Sequence, residues 1–391
     1  MHIQPSLAGA APNPMFRIGA AIHGRSDIIH LEFGEPDAPT PAHIVEAAMR
    51  SLRDERQGYG PSVGMPFLRE AVAARAKRVD GIDTTPEMVI TAAGGTGALM
   101  ASLQCTTGAG DEVLVPDPAW AGYDGMLAAT GARMVRYPLL QANGWQPDVD
   151  ALERLITPRT RVLLINSPSN PAGAVYPRAT VERMLEIAQR FDLWVLSDEC
   201  YDEFIYDAEH VSLGALDSER VITIGTCSKS YAMTGWRVGW AIVPARLTGA
   251  MGIVVAAQVN NLPLFTQRAA HAALTGPQEC VMEMARLYRS RRDRAVAQLA
   301  GYGCDVAVPH GAFYLLIPIV PPRTGEPLPF DSVMFAEDFI RDERVAVAPG
   351  AAFGPGAAEC VRISLASADD DLRVGVDRLM AYIAARSDKA R

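Results

Sequence analysis

Several things are missing from this chain, and each absence excludes something. The six cysteines, at 105, 200, 227, 280, 304 and 360, form no C-x-x-C pair, so a zinc ribbon or dithiol redox centre is not expected, and free thiols in a reducing cytoplasm fit best. The seven histidines are scattered without H-E-x-x-H or comparable spacing, and no metal site is expected. No apolar stretch reaches the roughly 18 residues of a membrane span. Met1-His2-Ile3-Gln4-Pro5 lacks the basic and apolar regions of a signal peptide. Excess positive charge is also lacking: the net charge is −9, which argues against a nucleic-acid surface. The densest basic group, Arg286, Arg289, Arg291, Arg292 and Arg294, surrounds Leu287 and Tyr288 and reads as the solvated face of a long amphipathic helix. There is no internal repeat and no coiled-coil pattern.

What is present is a chain of 391 residues, 49% apolar, long enough for large cores and more than one domain. Short apolar runs recur with helical stretches between them: 89–91, 112–115, 162–165, 193–196, 221–224 and 238–243. Runs apolar throughout suit parallel strands covered by helices on both faces. Polar residues cluster just after these runs, at the strand ends where open α/β sheets hold ligands. After about residue 284 the pattern changes to a long helix, short strands near 311–316 and 345–350, a strand around Arg362 and a final helix from about Asp369. The Pro- and Gly-rich stretch from Pro318 to Pro329 reads as a surface excursion.

Three strand ends carry chemistry. Val221-Ile222-Thr223-Ile224 runs into Thr226-Cys227-Ser228-Lys229, with Arg237 eight residues on. A lysine confined beside cations becomes a nucleophile able to form a Schiff base with an aldehyde, and Thr226, Ser228 and Arg237 are donors suited to a phosphate. This combination suggests pyridoxal phosphate; a surface lysine with Arg237 in a salt bridge is the plainer alternative. Leu193-Trp194-Val195-Leu196 delivers Asp198, 31 residues before Lys229. A carboxylate there would keep a pyridine nitrogen protonated, although aspartate after a strand also caps helices. Tyr201 and Asn170, the latter after the run 162–165 in a proline-rich turn, could both reach the cofactor's phenolic oxygen.

Taken together, these segments resemble the class I/II, aspartate aminotransferase-like enzymes of pyridoxal phosphate fold type I. The matching pieces are Gly34-Glu35-Pro36-Asp37, Gly58-Tyr59-Gly60, Gly94-Gly95-Thr96, Asn170-Pro171-Ala172-Gly173, Ser197-Asp198-Glu199-Cys200-Tyr201, Ser228-Lys229, Gly235-Trp236-Arg237-Val238-Gly239 and Val361-Arg362-Ile363-Ser364. They run in family order over nearly the whole chain. The resemblance implies an α/β fold: a large domain with a mostly parallel sheet flanked by helices, and a smaller α+β domain. Its boundaries would be 1–45 as an N-terminal part of the small domain, 46–284 as the large domain and 285–391 as the rest of the small one.

The resemblance also assigns roles. Lys229 would form the Schiff base and shuttle the proton between Cα and C4′. Asp198 would face the pyridine nitrogen, and Asn170 and Tyr201 the phenolic oxygen. Gly94, Gly95, Thr96, Thr226 and Arg237 would hold the phosphate, Trp120 would stack on the ring, and Tyr59 would reach the phosphate in a neighbouring subunit. The substrate would meet Gly34, Trp120, Asn170 and Arg362, whose guanidinium would fork onto the α-carboxylate. A homodimer with shared sites follows, its partners being a small amino acid and a 2-oxo acid. The implied activity is transfer of an amino group between the two. A carbon–sulfur β-lyase or an aminocyclopropane-carboxylate synthase-like lyase uses the same cofactor contacts and stands as the alternative. A sensor fused to a DNA-binding module would need more than the 33 residues ahead of Gly34. Dicarboxylate-specific members carry a distal arginine or lysine, but the corresponding loop 256–263 has neither, and the phosphate-turn position is Thr96. A neutral donor side chain is therefore expected, with Phe16 and Ile18 as candidate pocket residues and Arg17 or Arg25 as alternative sources of a cation.

Overall fold

The protein is described by a computed structural model covering residues 3–319 and 331–389. Its central sheet has eight strands. From one edge to the other they are Val89–Ala93, Val238–Ile242, Val221–Thr226, Trp194–Asp198, Thr160–Asn166, Glu112–Asp117, Arg133–Leu140 and Gln146–Pro147. Strands Val221–Thr226 through Arg133–Leu140 pair in parallel. Val162 and Leu164 point into one core, with Leu99, Tyr123 and Met251 from helices on that face. Leu163 and Ile165 point into the other, with Val181, Met184 and Leu185 of the helix Arg178–Arg190. Alternate residues thus enter opposite apolar layers, which is why the strand reads as apolar throughout.

One expectation is corrected. Val238–Ile242 was grouped with the parallel strands, but it runs antiparallel to both of its neighbours. No crossover helix separates it from Val221–Thr226, only a loop with a single 3-10 turn, and so short a return favours antiparallel pairing. An apolar run reports burial, not direction.

A second, three-stranded antiparallel sheet places Cys360–Ser364 between Tyr314–Pro318 and Ala348–Pro349. Ile29–His30 pairs in parallel with Val345–Ala346, so the beginning of the chain joins the end. Tyr288, Phe313, Phe335 and Phe339 pack with Ile18 and Leu31 in the core here. Helix Glu279–Gly301 starts five residues before the expected point, and the last helix spans Asp369–Lys389. Beyond Pro318 and Ile319, the stretch expected to form a surface excursion lies outside the described residues.

The arginine-rich helix face is also corrected. Arg291 and Arg292 are buried rather than solvated. Arg291 bridges Asp37 and Asp369 at 2.8 Å each, and Arg292 pairs with Asp207 at 2.6 Å. Their stems and charges tie the long helix to chain segments far away in sequence, which helical spacing alone does not show. All six cysteines are free. Among the described residues, no helix is long and apolar enough to cross a membrane.

Candidate active site

The C-terminal ends of the parallel strands open into a cavity of about 370 Å³. At one end, the strand Val89–Ala93 runs into the helix Gly94–Thr106, whose first N–H groups and dipole favour an anion. Gly94 has φ +75°, and a Cβ there would stand 2.5 Å from Nη2 of Arg237. Gly239 is as tightly placed: its Cβ would be 2.6 Å from the backbone of both Gly94 and Gly95. The helix start, Thr226, Ser228 and Arg237 thereby converge on one concave space that also includes Thr96. Thr226 accepts from the Ser228 N–H at 3.1 Å and donates to Ser228 Oγ at 2.9 Å.

Lys229 enters from the loop after Val221–Thr226, and its Nζ donates to the Gly34 carbonyl at 2.6 Å. Burial pushes its amine down to about 8; Arg362 and Arg237 act in the same direction, against Cys200 and Glu35. Asp198, at the end of the neighbouring strand, is buried. Its carboxylate accepts from Tyr123 Oη at 2.6 Å and from the Cys200 N–H at 3.3 Å. Burial raises its pKa, while the Tyr123 and Cys200 hydrogen bonds lower it. Asn166 fixes this corner by donating to the Asp198 carbonyl at 3.0 Å and accepting from the Asn170 N–H at 2.8 Å. Asn170 Nδ2 reaches Tyr201 Oη at 3.5 Å, and Tyr201 Oη lies 2.8 Å from Tyr314 Oη.

Opposite stands Arg362, buried on its strand. Its guanidinium lies over the rings of Tyr314, at 4.4 Å, and Phe353, at 4.8 Å. Nη1 donates to Asn170 Oδ1 at 3.0 Å and Nη2 to the Glu32 carbonyl, while Nε is buried without a partner. Burial lowers its pKa, but an arginine stays charged at any ordinary pH.

Of the expected site residues, Gly34, Gly95, Thr96, Trp120, Asn170, Asp198, Tyr201, Thr226, Lys229, Arg237 and Arg362 line this one cavity, and Gly94 touches Arg237 beside it. Tyr59 does not line it and is 91% exposed. Phe16 and Ile18 do not line it either: Phe16 is 73% exposed and Ile18 is in the core. Met15 holds the place they were expected to take. Sequence reasoning missed Tyr123, Asn166, Tyr314 and Phe353. The signal for Tyr123 was faint: an aromatic three residues after Trp120, on the helix that follows the proline-rich loop.

These residues fit pyridoxal phosphate on three observations. Close backbone approach at Gly94, Gly95 and Gly239, with no room for a Cβ at Gly94 or Gly239, brings a helix start up against Arg237. Asp198 is a buried carboxylate whose described partners include no cation, and a protonated ring nitrogen would complete it. The depressed amine of Lys229 lines the same cavity. The sequence pattern of "Aminotransferase class I and II" matches residues 26–379. The chain belongs to the class I and II aminotransferases.

An aspartate/prephenate aminotransferase of Thermus thermophilus is 38% identical over 90% of both chains. An arginine–pyruvate transaminase of Pseudomonas aeruginosa is 38% identical over 93% of this chain and 92% of its own. Among solved structures, aspartate aminotransferase from Thermus thermophilus with maleate superimposes with a TM-score of 0.91 at 35% identity, over 97% of this chain and 99% of that one. The aromatic aminotransferase from Pyrococcus horikoshii gives 0.88 at 34% identity, over 95% and 99%. This aminotransferase therefore has the fold type I architecture and depends on pyridoxal phosphate. The relatives named here are transaminases, and none supports the lyase alternative.

Proposed function

We propose that this aminotransferase moves the amino group of an L-amino acid with a neutral side chain to a 2-oxo acid, with Lys229 as its catalytic base. The observation that carries this reading is the grouping of a depressed amine, a cation-free buried carboxylate and a buried guanidinium with an unused N–H in one cavity. Pyridoxal phosphate supplies an aldehyde carbon for amines and a protonated ring that accepts the electron pair freed at Cα. With a pKa near 8, Lys229 is substantially uncharged at mildly alkaline pH. With the cofactor bound, this amine would be the group available to its aldehyde carbon and the base available to the proton on the substrate's Cα. Asp198, oriented by Tyr123, would hold the proton on the ring nitrogen. Tyr201 and Asn170 would serve the ring oxygen, and Trp120 the ring face. Arg237, Thr226, Ser228, Thr96 and the turn at Gly94 and Gly95 would hold the phosphate. Arg362 grips the α-carboxylate, steadied by Asn170, with the Gly34 backbone alongside.

Counting cations argues against a donor with a second carboxylate. Among the described residues, Lys229, Arg237 and Arg362 are the cations lining the cavity, and each already has a task. Arg17 pairs with Glu337 at 2.6 Å and Arg25 with Asp27 at 2.7 Å, so neither candidate is turned toward a distal carboxylate. An unpaired buried charge is costly. Relatives named for aspartate, arginine and aromatic amino acids indicate that this scaffold serves side chains of differing charge, which leaves the choice to local residues. We also propose a cytoplasmic homodimer in which the exposed Tyr59 reaches the phosphate in the adjoining subunit, and a small domain formed by residues 1–45 and 285–391 around a large domain of 46–284. A panel of amino donors at fixed 2-oxoglutarate tests the reaction. It should yield new amino acid without ammonia, with lower kcat/KM for aspartate than for at least one of alanine, methionine, leucine and phenylalanine. Aspartate as the best donor would overturn the neutral pocket; ammonia release would overturn the transfer.

A further inference from the structure

A second hollow, about 1150 Å³, adjoins the active-site cavity, and Met15, Trp120 and Ala121 line both. Its floor is the helix Gly122–Thr130, presenting Gly125 and Ala128. Its roof is the N-terminal strap through Ala10 and Pro12. The strap is fastened at two points: Ser6 Oγ donates to the Ala128 carbonyl at 2.7 Å, and Asn13 Nδ2 to the Ala352 carbonyl at 3.2 Å. Trp120 stands as the partition. Its ring lies so close over Gly122 that a Cβ there would come within 2.4 Å of it, and it packs edge-on against Tyr123 at 5.3 Å.

The inner cavity is small for its contents. About 370 Å³ is near the bottom of the range for one ligand, and the cofactor would take most of it. With the α-carboxylate on Arg362 and the amine toward Lys229, the part of the remaining lining shared with the hollow is Met15, Trp120 and Ala121. A side chain longer than a few atoms leaves along that wall, and the hollow begins there. The floor helix has nine residues, roughly 13 Å at the helical rise, which exceeds the reach of a phenylalanine side chain.

We propose that this hollow is the subsite for the donor's side chain, and that the enzyme prefers amino acids with long, unbranched apolar side chains that pass between Met15 and Trp120. The inference rests on the transaminase reading above and deepens it. The lining is mostly Ala, Gly, Pro, Met and Phe, and its arginines are already paired, Arg136 with Asp124 at 2.9 Å and Arg133 with Glu112 at 2.6 Å, so the hollow favours an aliphatic chain, which leaves more apolar area out of water with each methylene.

Gly125 provides the test. It is exposed, and a Cβ built there meets nothing within 4 Å, so Gly125→Trp fills the hollow without touching the cofactor or Lys229. For the wild type, kcat/KM should be at least as high for L-2-aminooctanoate as for L-alanine. Gly125→Trp should lose about tenfold or more on aminooctanoate, the scale of discrimination from one or two methylenes in an apolar pocket, with alanine unchanged. Gly125→Leu, a smaller plug, should lose less. If alanine and aminooctanoate fall together, or neither changes, or the wild type prefers alanine tenfold, the subsite is elsewhere. Failure with every amino acid would refute the transaminase reading itself; loss of the chain-length preference with alanine turnover intact refutes only the subsite.

Discussion

Removing one oxygen tests how this site sustains a buried charge. Tyr123 and Asp198 are both buried, and the hydroxyl donates to the carboxylate at 2.6 Å. In Tyr123→Phe the ring packing remains while Asp198 keeps only the Cys200 N–H, at 3.3 Å, and whatever the thiol supplies. A hydrogen bond to a charged group contributes about 1.5–3 kcal/mol, and because the Tyr123 bond holds the Asp198 pKa down, its loss should raise that pKa further. The sign is fixed: the bond favours the ionised form, and the ionised form is the one that keeps a proton on the cofactor's ring. The variant should fold with a near-normal melting temperature, bind pyridoxal phosphate about ten- to a hundredfold more weakly, and show an acid limb of kcat shifted upward. Titration of the apoenzyme with cofactor, followed by visible absorbance, measures the first effect, and a pH–rate profile the second. Cofactor affinity and kcat within twofold of wild type at all pH values would refute the argument and leave Tyr123 as a packing residue.

Other outcomes follow from the same site. Lysine occurs only at 77, 229 and 389, so borohydride reduction of the holoenzyme and peptide mapping should give one adduct, on Lys229; an adduct on Lys77 or Lys389 would remove the catalytic assignment. Because the Lys229 amine is pushed down to about 8, cofactor attachment to the apoenzyme should accelerate as pH rises through 8 and level off above it. A rate still climbing steeply near pH 10 would indicate an ordinary lysine. Arg362→Lys replaces a planar fork with a point charge and should cost about 2 kcal/mol, some thirtyfold in KM for the amino acid, while cofactor affinity holds; unchanged KM would show that the clamp lies elsewhere. Gly239→Ala places a Cβ 2.6 Å from the backbone of Gly94 and Gly95. It should destabilise the protein by about 1–3 kcal/mol and weaken cofactor binding, read together by calorimetry with and without cofactor.

Much of the site was legible because its residues sit where regular structure ends. Asn170, Asp198 and Lys229 each follow an apolar strand, and parallel pairing brings such ends to one edge of the sheet. Arg362 stood out as a cation in an alternating strand. What escaped depends on contacts between distant positions. Tyr123 looks like any core aromatic until Asp198, 75 residues later, receives its hydroxyl. Tyr314 becomes part of the site through Tyr201, 113 residues away. The reversal of Val238–Ile242 was hidden because burial leaves the same composition in either direction. Arg291 passed for a solvated residue because Asp37, its partner, lies 254 residues earlier.

The joining of the chain's two ends has a consequence for how the protein is made. Arg362 Nη2 donates to the carbonyl of Glu32, 330 residues earlier, and the Ser364 N–H donates to Leu31 at 2.7 Å. On a ribosome adding about 5–20 residues per second, Leu31 and its neighbours wait roughly 15–65 s for these partners. The residues from Gly94 to Arg237 that hold the cofactor emerge well before that time ends. The nascent chain thus carries its cofactor-holding residues before it carries its substrate clamp, and a truncation between Arg237 and Arg362 keeps the first set and removes the second.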